Sequence, residues 1–222
     1  MATSLARRTF MGVAATAATA GLVIGASGAA SAHTTTTSFN AACVAQPSVG
    51  GAQHQIQGYS VQVTDSSPGK YRIQFDPQTT PGSGFGYTLV NISNIKAAFS
   101  ATGITGATVV AGTGYGYSGT PATTVVSSSR VELAGGLTVP ASTTFQLPMI
   151  EITASGPVKL DTAGTAGQYN NAANFLTFTS NAKLGLIPIS APTRCIPADG
   201  PLGDSDMGTS PTLNAGAGVL HA

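Results

Sequence analysis

The chain has 222 residues, of which only 8% are charged, with nine lysines and arginines against eight acids and a formal charge of +1. That balance excludes the basic face needed to hold nucleic acid and the polybasic segment needed to hold anionic lipid. Tryptophan is absent, 28 residues are glycine, and a hydrophobic fraction of 42% is enough for a core, which excludes wholesale disorder.

Residues 1–32 read as an export signal. Arg7 and Arg8 precede a mostly apolar run from Phe10 to Ile24, and Ala30-Ser31-Ala32 has the small-x-small form of a signal-peptidase site. Arg7-Arg8-Thr9-Phe10-Met11 also has the look of a twin-arginine signal. Ala6 and Gly12 depart from that pattern, so general secretory export stays open. The apolar run is shorter than a membrane span, which predicts no transmembrane anchor. Cleavage after Ala32 removes two arginines and no acid, leaving seven bases against eight acids and a formal charge of −1. The expected location is secreted or in the cell envelope.

Residues 33–42 read as a Thr-rich lead. The patterned domain is expected over 43–197, with a cysteine near each end. Cys43 and Cys195 are the only cysteines, so an exported chain allows one intramolecular pairing, which would pin the first strand of the domain to the last. Tyr59, Val61 and Val63 alternate with polar residues, as do Tyr71, Ile73 and Phe75. This period of two predicts half-buried strands, joined as a hairpin through a longer loop at 65–69. Residues 77–86 read as a Pro- and Gly-rich loop. Further strands are expected at 87–92, 95–100, 104–110, 123–126, 130–133 and 137–140.

The longest apolar run, 144–153, contains Pro148, which predicts an edge or a bulge. After a polar loop at 164–174, strands are expected at 175–179 and 183–187. No segment has a sustained helical period. Turn signals every 8–12 residues predict an all-β fold, an immunoglobulin-like antiparallel β-sandwich. Residues 198–222 lack periodicity and read as a flexible, disordered tail, as the leader does at the other end.

The twin-arginine-like leader, the early Cys43, the strand Leu137-Thr138-Val139-Pro140-Ala141-Ser142 and the close Cys195-Ile196-Pro197 carry a resemblance. Over about residues 43–200 the chain resembles a family of secreted β-sandwich domains of unknown function from high-GC Gram-positive bacteria. Val44-Ala45-Gln46-Pro47 after the first cysteine departs from the family pattern. The resemblance implies fold and location, and carries over no catalytic residues.

Candidate chemistry is sparse. His54 is the only histidine between the cysteines, and a general base needs a carboxylate to orient it, for which Asp65 and Asp76 are the candidates. A solvated histidine in the Gln-rich stretch Gln53-His54-Gln55 is the alternative. Gly116-Tyr117-Ser118-Gly119 lacks nucleophile-elbow spacing. Asp199, Asp204 and Asp206 distantly resemble a calcium loop without its closing glutamate, so no metal or other cofactor is expected. Phe85-Gly86-Tyr87 and Tyr115-Gly116-Tyr117 set aromatics among glycines, where they can stack on a sugar or anchor a partner. Phe85, Tyr87, Tyr115 and Tyr117 are therefore the candidate binding residues. The expected role is non-catalytic, structural or partner-binding, with an envelope glycan, lipid or protein as partner. The alternatives are a carbohydrate- or lipid-binding module using these loops or an apolar cleft, and a hydrolase centred on His54.

Overall fold

The computed structural model describes residues 32–84, 86–160 and 175–198. The expected leader and tail, the loop at 164–174, Phe85 and the three aspartates after Cys195 lie outside the described residues. The elements are β1 (His33–Ala45), β2 (Gln53–Ser67), β3 (Lys70–Phe75), β4 (Gln78–Thr79), β5 (Ser83–Gly84), β6 (Tyr87–Ser100) and β7 (Gly106–Val109). They continue with β8 (Ala122–Ser127), β9 (Arg130–Pro140), β10 (Thr144–Phe145), β11 (Ile150–Thr153), β12 (Lys159–Leu160), β13 (Leu176–Leu184) and β14 (Ile187–Ala198). The fold is all-β, as the alternation demands, and every pairing is antiparallel.

One long sheet runs in the order β7-β11-β3-β2-β1-β14-β13-β6-β9-β8, with β12 and β5 also paired to β6. The sheet folds over its own core in a sandwich- or barrel-like arrangement. Its two terminal strands approach each other, where Thr123 Oγ1 on β8 donates to Ala107 O on β7 at 2.9 Å. A two-stranded sheet, β10-β4, stands apart from this path. Among the described residues no helix is long and apolar enough to cross a membrane.

Residues 33–42, expected as a lead, instead form most of β1. Thr35, Thr37 and Phe39 stand opposite Val63, Val61 and Tyr59 of β2, so this Thr-rich segment is a full member of the sheet. Cys43 and Cys195 are register partners on β1 and β14, 4.1 Å apart at Cα, and are bonded across 152 residues of sequence. The expected pairing is thus observed, and it joins neighbouring strands.

The β2–β3 hairpin is tighter than the expected long loop. β2 runs to Ser67 and only Pro68-Gly69 turns, with the register slipping between Asp65 and Ser67. Two expected strands, 87–92 and 95–100, are one strand, β6, bent where Asn94 takes a positive φ of 53°. The register against β9 shifts between Ile92 and Ile95, so these residues, three apart, are both buried. The expected strand at 183–187 is interrupted: Lys183 and Leu184 end β13, Gly185 and Leu186 turn with Gly185 at φ 60°, and Ile187 begins β14.

The apolar run 144–153 divides around Pro148, which has no N–H for a ladder. Gln74 Nε2 donates to Leu147 O at 2.7 Å, and Met149 N donates to Thr113 Oγ1 at 2.9 Å, which satisfies the gap. β11 beyond the break is interior, between β7 and β3.

Candidate functional site

The inward face of β2 sets the character of the interior. Its odd-numbered residues point in: Gln53, Gln55 and Gln57, then Tyr59, then Val61 and Val63. The even-numbered residues point out. Val61 and Val63 close-pack with Tyr71, Ile73, Phe99, Val131 and Ile152 into a solid core. At the glutamine end the same face lines an open cavity of about 480 Å³, inside the range of about 300–1,000 Å³ usual for small-molecule sites.

Rings separate the two regions. Tyr59 meets Phe75 and Phe175 edge-on, with centroids 6.4 and 6.1 Å apart, and stacks on Phe39 at 5.8 Å. The cavity wall beyond them is apolar: Ile92 and Ile95 from β6, Leu176 and Phe178 from β13, Ile189 from β14 and Phe145 from β10. Period two delivers the β13 residues, and the bend in β6 delivers both isoleucines. Thr80, just after β4, is buried and holds its loop by donating Oγ1 to Pro140 O at 2.6 Å and accepting from Thr143 N at 3.0 Å.

The polar lining gathers on one side. Gln57 Nε2 donates to Gln78 Oε1 at 3.0 Å. Asp76, two residues before Gln78, is half-buried in the lining, and its backbone N–H donates to Ser60 O at 2.9 Å. Tyr59 is buried in the cavity wall, and no described group hydrogen-bonds its hydroxyl. Burial pushes its phenol well above the ordinary value, so it stays neutral. Among the described residues no lysine, arginine or histidine lines the cavity.

The expected site residues are dispersed. Tyr87 lines the cavity and donates its hydroxyl to Val49 O at 3.2 Å, tying the β1–β2 loop to β6. Tyr115 and Tyr117 are not in the lining. Tyr117 packs partly buried against the core, where burial raises its phenol, and Tyr115 forms a β-bridge to Gln146. The glycine between them, Gly116, serves packing: a Cβ there would press on Thr144 O and Phe145, and its φ is +76°.

His54 stands on the outer face of β2, opposite Val44 and exposed, whereas its neighbours Gln53 and Gln55 line the cavity. Asp65 is eleven residues along the same strand, roughly 35 Å away at about 3.3 Å per residue, on the opposite face. Asp76 lines the interior. Neither carboxylate can orient the imidazole in this arrangement. Among the described residues no three His, Cys, Asp or Glu side chains gather as a metal site.

No family model matches the chain, and neither a curated protein nor a solved structure does.

Sequence reasoning missed the cavity. The run Gln53, Gln55, Gln57 shares its parity with Tyr59, Val61 and Val63. Amides on an inward face were the available signal, because a filled core there would leave their groups unsatisfied.

Proposed function

We propose that this is an exported, non-catalytic binding protein that carries an apolar small molecule in the cavity beside β2. The observation that carries the reading is the cavity itself: about 480 Å³, apolar for most of its wall, with amides gathered on one side. Concave, largely apolar linings of this size are the usual form of a small-molecule site, and such a wall leaves water only when something apolar occupies it. The leader at residues 1–32 supplies export in this reading, and the Cys43–Cys195 bond suits an oxidising compartment. A glycan role has less support, since sugar stacking needs open rings: Tyr117 is packed against the core, and of the described candidate rings only Tyr115 is exposed. A hydrolase at His54 has less still, because its ring faces away from the cavity and from both candidate carboxylates.

The test is uptake of N-phenylnaphthylamine, an uncharged apolar probe whose fluorescence rises on burial. The chain has no tryptophan to interfere. Wild-type protein should bind it saturably. Ala182→Phe and Ala191→Phe each push a ring into the cavity from β13 and β14, and should weaken binding by about tenfold or more while folding is confirmed by thermal unfolding. His54→Ala should bind like wild type. No uptake by wild type, or full uptake by both folded ring variants, would overturn the proposal.

A further inference from the structure

We infer that the cavity selects amphiphiles whose polar end is uncharged or cationic, and that Asp76 is the residue that turns anionic ones away. The inference rests on the binding reading above and concerns the ligand that same cavity takes.

The polar lining offers donors and acceptors without positive charge. Gln53, Gln55, Gln57 and Gln78 line it with amides; Gln53 donates Nε2 to Gly51 O at 2.9 Å and Gln57 donates Nε2 to Gln78 Oε1 at 3.0 Å, and the capacity each amide keeps serves a hydroxyl, an ester or an amide equally well. Tyr59 adds a neutral hydroxyl deeper in, to which no described group hydrogen-bonds. Among the described residues the one formal charge in the lining is the Asp76 carboxylate, and no described ion pair engages it. Its place is fixed by the backbone bond to Ser60, which holds it next to Gln78.

An anionic head group entering here would lose its hydration, find no cation and face a like charge in a partly desolvated setting. An alcohol keeps its hydrogen bonds at the amides. An ammonium gains a counter-ion. The sign of the preference follows from the lining alone, since a site built for carboxylates places Arg or Lys against them.

Competition against N-phenylnaphthylamine near neutral pH reads the preference directly, with decanol, decylamine and decanoate as competitors of equal chain length. Wild type should bind decanol and decylamine about tenfold or more tightly than decanoate. Asp76→Asn should bring decanoate to within a few-fold of decanol and weaken decylamine relative to decanol. Gln53→Lys, which adds a cation to the lining, should raise decanoate affinity. Equal binding of decanoate and decanol by wild type would overturn the selectivity while leaving the binding reading intact. So would an Asp76→Asn protein that still discriminates as wild type does. Failure of all three competitors and of the probe would instead sink the binding reading.

Discussion

Glu132, on the outward face of β9, accepts from Arg130 Nη2 at 2.8 Å and Lys96 Nζ at 3.3 Å. Burial alone would raise its carboxyl, but the hydrogen bonds and charges of Arg130 and Lys96 outweigh this and hold it below the ordinary glutamate range. A carboxyl whose folded pKa is depressed contributes stability that is present above its unfolded value and is lost as pH falls through the folded one. Glu132→Gln should therefore cost about 1 kcal/mol near neutral pH. The gap to wild type should close as the carboxyl of wild type is protonated. Urea unfolding at neutral and acid pH checks both halves; a pH-independent gap would mean packing, not charge, carries the effect. The pair on β9 could be seen as Arg130-Val131-Glu132 in sequence, but Lys96 joins it only through the β6–β9 register.

At the scale of elements, irregularity decides what the strands present. The glycine pair 135–136 looks like a break between two strands, yet β9 passes straight through it. Gly135 sits at φ +121°, and a Cβ there would drive into the Thr120 carbonyl, so the pair is a bulge that lets the segment before β8 cross closely. Gly135→Ala should destabilise the protein by about 2 kcal/mol or more, read as a lower urea midpoint. Gly136→Ala meets no atom within 4 Å and has only its φ of +65° to strain it, so it should cost about 1 kcal/mol. Equal losses would remove the close approach as the cause. β1 shows the opposite error. Its threonines look like a linker because one apolar residue, Phe39, is all that breaks the run 33–40, but Thr is a good strand former and the β2 partner supplies the burial.

For the molecule as a whole, the disulfide and the meeting of the sheet ends restrain the same fold. The bond joins residues at a sequence separation of 152, for which the chain-entropy model gives about 5 kcal/mol. Both cysteines are buried, and they link strands already paired, so the native sheet does not require the bond to hold its register. Replacing both cysteines by serine should lower the melting temperature by roughly 10 °C while leaving the all-β circular dichroism in place. Loss of folding altogether would show that the ladder between β1 and β14 cannot form without the bond.

The sequence by itself determined the class of the fold. Alternation around Tyr59-Val61-Val63 and Tyr71-Ile73-Phe75 marks strands because side chains in a pleated chain change face at every residue, and two cysteines allow one bond. Tyr87, singled out beside Gly86, lies in the cavity lining. The cavity was settled only by tertiary structure. Ile92 and Ile95 reach it because β6 bends at Asn94, Phe145 because a second small sheet folds inward, and Asp76 because its backbone is tied to Ser60. Period two says that a residue faces inward; whether it meets a packed neighbour or open space depends on strands far away in sequence, and no local pattern encodes that distance.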